Sequence, residues 1–196
     1  MRARRGFTII EVLIVIAIST MLATIALTYT SISRNQIALS VETSKVAESI
    51  LRAKNLAVAT YNTSPGTCAY GVYFNIPGNS YSIFAFTPDP AKYGGKVPPC
   101  PSVASTTAAG LTLSGANAEM QPYTQGSWNV PIGQGVKLIS ASDNIVAVIF
   151  YPPSPDTLIS RDGVTYATST SAVYLETVDG SRSASVSVNL AGQVNF

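Results

Sequence analysis

Arg4-Arg5-Gly6-Phe7-Thr8-Ile9-Ile10-Glu11 opens an apolar stretch that runs without charge from Val12 to Ser33. How this stretch is read decides the rest of the fold. A basic head before an apolar segment is ordinary for membrane targeting. A carboxylate just inside that segment, five residues past a glycine, is not. A charge at mid-bilayer costs about 2.5–3.5 kcal/mol on insertion scales, so Glu11 requires a cationic partner. Cutting the chain after Gly6 would supply one. The new amino group on Phe7 would lie one helical turn from Glu11, on the same chain or on a neighbouring copy.

The uncharged stretch is long enough to span a bilayer, which takes about 20 residues. A cleavable secretory signal would have a shorter apolar core followed by a small-residue site, so the segment is expected to be retained. Arg2, Arg4 and Arg5 precede it and nothing comparable follows it. The N-terminus is therefore expected to face the cytoplasm, with the bulk of the chain outside. The plainer alternative is a signal anchor whose Glu11 sits at headgroup level beside Arg4 and Arg5. It accounts for neither the Gly6-Phe7 pair nor the position of Glu11.

The segment RRGFTIIEVLIVIAI resembles the leader and N-terminal helix of type IV prepilins and type II secretion pseudopilins, with Gly6, Phe7, Thr8 and Glu11 all matching that pattern. The resemblance covers residues 1–35. It implies that a prepilin peptidase cuts between Gly6 and Phe7 and methylates the Phe7 amine. It implies that Glu11 neutralises this amine on the adjacent subunit during assembly. It also implies a single-pass protein of the inner membrane that later joins other pilin or pseudopilin subunits in a pilus or pseudopilus filament. Many relatives carry a helix-breaking proline in the membrane half, where this chain has Thr24 and Thr28.

The helical pattern continues past the apolar stretch. No proline precedes Pro65 and no glycine lies between Gly6 and Gly66, so nothing interrupts a helix there. Val46, Ile50, Ala53 and Ala57 share one face, while Lys45, Glu48 and Arg52 share another, with Glu48 and Arg52 in the favourable order. A helix from about Phe7 to about Thr60 would be roughly 80 Å long at 1.5 Å per residue. The expected division is a leader at 1–6, a transmembrane or filament-core helix at 7–33, an amphipathic continuation at 34–61 and a β-rich extracytoplasmic domain at 62–196.

After Tyr61 the texture changes to short alternating runs separated by Gly, Pro, Asn and Asp, which reads as antiparallel sheet. Strands are expected at Tyr70–Ile76 and Tyr81–Phe86 around the turn Pro77-Gly78-Asn79-Ser80. Further strands are expected at Val136–Ala141, Ile145–Tyr151, Ala172–Val178, Ser185–Asn189 and Gln193–Phe196. Asp179-Gly180-Ser181 and Ala191-Gly192 would close the last hairpins. Pro88–Gly126 reads mainly as a long loop, with one strand candidate at Leu111–Leu113. The fold class is α+β, a long helix packed on an antiparallel sheet or small sandwich. The run of Phe150, prolines, Asp162-Gly163, Val173–Leu175 and a hairpin near Gly192 is similar to the minor pseudopilin and fimbrial minor pilin branch of the family.

Cys68 and Cys100 are the two cysteines of the chain. An even count in an extracytoplasmic domain favours a disulfide between them over two buried thiols. Such a loop would restrict the unfolded chain by about 3.5–4 kcal/mol in the entropy model.

The chain has no histidine, so Ser–His and Cys–His nucleophile systems and His-based metal sites are excluded. Asp143, Asp156, Asp162 and Asp179 sit among turn-forming residues, and Asp156–Asp162 is a faint oxygen cluster for Ca²⁺. No enzymatic activity, cofactor or metal is expected. Tyr61, Tyr93, Tyr123, Trp128 and Tyr166 would either cover a sheet edge or present a surface to sugar, protein or DNA. Twelve Lys and Arg against ten Asp and Glu give a net charge of +2, and Arg2, Arg4 and Arg5 contribute to it. A near-neutral exported part speaks against a strongly electrostatic DNA binder. The alternative, a tip subunit binding DNA or a surface, is weakened further because no basic residue follows Arg182.

Overall fold

The computed structural model describes residues 8–59, 67–87, 120–122, 130–152, 156–161, 167 and 169–196, and within these not the side chains of 26–32, 120–122 and 156. One helix, α1 (Ile9–Ala59), runs for 51 residues. It matches the expected span within the described residues, since Phe7 and Thr60 lie outside them. At 1.5 Å per residue its length is about 75 Å. The Thr8 carbonyl accepts the amides of Glu11 and Val12 at 3.1 and 3.3 Å, which starts the ladder.

The second half of α1 is the spine of the domain. Val46, Ile50 and Ala53 are 0% exposed, and Ala57 is buried with them. Small residues at 53 and 57 let the helix come close to the strands beneath it. Each large aliphatic buried there stabilises the domain by about 1.5–3 kcal/mol relative to leaving it in water.

Ten strands are present among the described residues, in two antiparallel sheets. The first contains β1 (Ala69–Asn75), β2 (Ser80–Phe86), β3 (Met120–Pro122), β4 (Val130–Pro131), β6 (Ala147–Tyr151) and β7 (Asp156–Ser160). Its order is β3-β2-β1-β6-β7, with β4 also on β2. The second contains β5 (Val136–Ile139), β8 (Ser171–Thr177), β9 (Ser183–Val188) and β10 (Val194–Asn195), in the order β10-β9-β8-β5. The segment before β6 joins the two sheets: the Ile145 amide donates to the Ala172 carbonyl at 3.0 Å, beside a parallel bridge between Asn144 and Ala172.

One apolar cluster lies under α1 and belongs to both sheets. It holds Val46 and Ile50 of the helix, Val72 and Phe150 of the first sheet, and Val173 and Val186 of the second. The α+β reading holds, with two sheets sharing one helix.

Three strands depart from the expected pattern. β3 falls inside the expected loop Pro88–Gly126, although the strand candidate Leu111–Leu113 lies outside the described residues. β4 was not expected, and neither was β7, whose first residue is the Asp156 assigned above to a turn. All three lie on the rim of the first sheet, with β3 and β4 pairing β2 and β7 pairing β6. β3 and β4 are three and two residues long, too short for alternation to show, and each contains a proline. Proline lacks the amide a ladder needs and is tolerated at a sheet edge.

The closing turns form as expected. Gly180 and Gly192 have φ of 70° and 67°, in the left-handed region that glycine enters without strain.

Candidate functional site

Among the described residues, the side chains of the first half of α1 are exposed. Ile9 is 83% exposed, and Ile10, Leu13, Ile16, Met21 and Leu22 are all more than half exposed. These residues lie on every side of the helix, so the surface is apolar all round rather than amphipathic. A helix of that kind is covered by lipid or by other helices in its working state. Among the described residues no helix is long and apolar enough to cross a membrane.

Glu11 lies in the first turn of this surface and is exposed. Gly6 and Phe7 lie outside the described residues. The helix N-terminus carries partial positive charge, which favours a carboxylate in its first turn. Further along, the Thr20 hydroxyl donates to the Ala17 carbonyl at 2.9 Å and the Thr24 hydroxyl to the Thr20 carbonyl at 2.8 Å. Hydroxyls that compete for ladder carbonyls weaken and bend a helix slightly.

Where α1 enters the domain, side chains fix it at three levels. Asn35 donates to Asp179 at 2.7 Å and so ties the helix to the β8–β9 turn. The Thr177 and Ser181 hydroxyls and the Ser181 amide, with Asn35, hold the Asp179 carboxyl well below the usual carboxylate range. One turn beyond Leu39, Glu42 is buried and receives the Lys45 ammonium at 2.7 Å. That contact pushes the Lys45 ammonium up from its ordinary value. Gly133 lies against Glu42, where a Cβ would come within 2.6 Å of Oε1. Near the helix C-terminus, Lys54 donates to the Gly192 carbonyl at 2.9 Å and holds the last hairpin.

Sequence reasoning missed Glu42. Its signal was a carboxylate three residues past Leu39 and four before Val46, on the buried stripe, with Lys45 in reach. Lys45, Glu48 and Arg52 line a groove between α1 and β2, floored by Tyr81 and Ile83. Burial first, and then the Glu42 charge, push the Tyr81 hydroxyl up.

Cys68 is buried at the start of β1 and is not a free thiol. Cys100 lies outside the described residues. So do Tyr61, Tyr93, Tyr123, Trp128, Tyr166 and Asp162. Asp143 sits in a turn and accepts the Tyr174 hydroxyl at 2.8 Å. Among the described residues no three His, Cys, Asp or Glu side chains come together as a metal site.

The exposed apolar half of the helix, with Glu11 in its first turn, overlaps a recognised sequence motif. Residues 1–27 match the model of the prokaryotic N-terminal methylation motif. The match takes in the start of α1 and ends before the Asn35–Asp179 clamp, so the β-rich domain is outside it. A solved structure similar to this chain is the minor pseudopilin EpsH from the type 2 secretion system of Vibrio cholerae. The identity is 9%, the TM-score is 0.43, and the likeness covers 80% of this chain and 94% of that one. No curated protein matches the chain.

Proposed function

We propose that the chain is a structural subunit, a minor pilin or pseudopilin, assembled into a type IV pilus or a type II secretion pseudopilus. Residues 1–6 are the leader, removed by a prepilin peptidase between Gly6 and Phe7, and the Phe7 amine is methylated. The helix at 7–33 holds the subunit in the inner membrane, with the N-terminus cytoplasmic and residues 62–196 outside. On assembly the same surface leaves lipid and packs against helices of neighbouring subunits, the role of the amphipathic stretch 34–61 being to carry the domain.

The observation that carries this reading is the contrast along one unbroken helix. Its second half is sealed into the domain, while the described side chains of its first half are exposed and apolar on all sides. Burying that surface against lipid or helices is favourable at about 25 cal/mol per Å². Glu11 would be the obstacle, because an unpaired buried charge costs several kcal/mol. The Phe7 amine of a neighbour removes it. In the exported domain, Cys68 pairs with Cys100, the other cysteine in the chain.

Edman sequencing or intact mass of the mature protein tests the reading. The expected result is a chain that begins at a methylated Phe7. A mature chain that begins at Met1, or at a site beyond the helix, refutes it.

A further inference from the structure

Two ties between α1 and the second sheet fix which end of that sheet lies nearest the exposed half of the helix. Asn35 donates to Asp179 in the β8–β9 turn, and Lys54 donates to Gly192 in the β9–β10 turn. Along the helix axis the ties are about 28 Å apart at 1.5 Å per residue. The β8–β9 turn is therefore the end of the sheet beside the apolar half of α1, and the β9–β10 turn is the far end.

The near turn is held firmly. The Val178 amide donates to the Gly135 carbonyl at 2.9 Å and the Gly180 amide to the Thr177 carbonyl at 2.8 Å. Asp179 accepts the Ser181 amide at 3.1 Å and the Ser181 hydroxyl at 2.8 Å, so its carboxylate is taken up within the turn and by Asn35. On this frame Val178 is 62% exposed, and Ile37, two residues past Asn35, is 64% exposed. Arg34 and Arg182 are exposed at the same end, Arg182 across a groove from Gln36 and Leu39. Neither guanidinium forms an ion pair among the described residues.

A single exposed valine or isoleucine is ordinary. The place of these two along the helix is not. From Val12 to Ser33 the chain carries no charge, and Arg34 is the first basic residue after Arg5. That stretch is about 33 Å long as a helix, close to the roughly 30 Å hydrocarbon core of a bilayer. A helix that spans with these residues puts Arg34 and Asn35 among the lipid headgroups. The 2.7 Å bond from Asn35 then brings the β8–β9 turn to the same depth.

We infer that, before assembly, the folded domain rests on the membrane through this end. Val178 and Ile37 enter the headgroup layer, and Arg34 and Arg182 bind phospholipid phosphates, which the guanidinium fork matches. The inference rests on the membrane reading of 7–33 and adds to it a second lipid contact, made by the domain rather than by the anchor. Such a contact fixes how the domain is turned about its helix, so that each waiting subunit presents the same side to a neighbour.

The test puts a nitroxide label on full-length protein in phosphatidylcholine vesicles, in the variants Leu22→Cys, Val178→Cys and Leu190→Cys. Leu190 is exposed in the far turn and serves as the aqueous reference. Collision with oxygen is compared with collision with a water-soluble nickel chelate. The expected result is Leu22 in hydrocarbon, Leu190 in water, and Val178 with an oxygen-to-nickel ratio severalfold above that of Leu190. Leu22 in lipid with Val178 equal to Leu190 overturns the inference and leaves the anchor reading standing. Leu22 in water overturns both. Adding phosphatidylglycerol to the vesicles is expected to raise the ratio at Val178, and Arg34→Gln with Arg182→Gln to abolish that rise. A rise unchanged in the double variant overturns the assignment of the arginines to lipid phosphate.

Discussion

Truncating Ile50 to alanine tests whether the second half of α1 is the spine of the domain. Ile50 is 0% exposed in the cluster shared by both sheets, and its neighbour Leu51, about 100° further round the helix, is 42% exposed. Removing a fully buried isoleucine side chain costs about 2–5 kcal/mol through lost transfer energy and the cavity left behind. The site is walled by two sheets and a helix that cannot all relax inward, so a value of about 3–4 kcal/mol is expected. For a domain of this size that lowers Tm by roughly 6–16 °C. Leu51→Ala loses little burial and almost no helix propensity, so it is expected to cost less than about 1 kcal/mol. The assay is thermal unfolding of full-length protein in detergent, followed by the near-ultraviolet signal of the domain, with both variants beside the parent. Equal losses, or a larger loss for Leu51→Ala, would refute the assignment of which helix face holds the sheets.

Gly71→Ala should be more damaging than a glycine-to-alanine change in a strand usually is. Its Cβ would come within 2.5 Å of the Val148 carbonyl and 2.6 Å of the Phe84 ring. Backbone cannot yield there without breaking the β1–β6 ladder, so a loss of about 3 kcal/mol in chemical denaturation is expected. Asp179 gives a dependence on acid. Its folded-state carboxyl is depressed by hydrogen bonds from Thr177, Ser181 and Asn35. Its stabilising contribution is therefore present above the ordinary value near pH 4 and is lost as pH falls toward the depressed one. Tm measured from pH 5 to pH 2 should fall less steeply for Asp179→Asn than for the parent, and parallel curves would remove the clamp from the account. Glu11→Val should leave membrane extraction and domain Tm unchanged while reducing recovery in sheared filaments at least tenfold. Normal incorporation would show that the acid has no part in assembly.

Much of this architecture was legible in the sequence because its signals are local. Val46, Ile50, Ala53 and Ala57 mark the buried helix stripe by spacing alone, and all four are sealed. The alternation of Tyr70, Val72 and Phe74 marks β1, and Asp179-Gly180 and Ala191-Gly192 mark the closing turns. β3, β4 and β7 were not legible, because a short rim strand exists only through the partner that pairs it. Proline at 122 and 131 argues locally against a strand, and pairing with β2 overrides it. Glu42 was missed for a similar reason. Its burial depends on Gly133, which is distant in the chain and adjacent in space. Of the candidate assembly residues, Glu11 lies in the first turn of α1, a position that could be read from the sequence.

The unbroken run of α1 has a mechanical consequence. A pull applied at Ile9 reaches the sheets through one continuous column of backbone hydrogen bonds, with no hinge along the path. The two halves of the helix therefore turn and translate as one lever about 75 Å long at 1.5 Å per residue. Any give along that lever has to arise from yielding near Thr20 and Thr24, where hydroxyls already draw on the ladder.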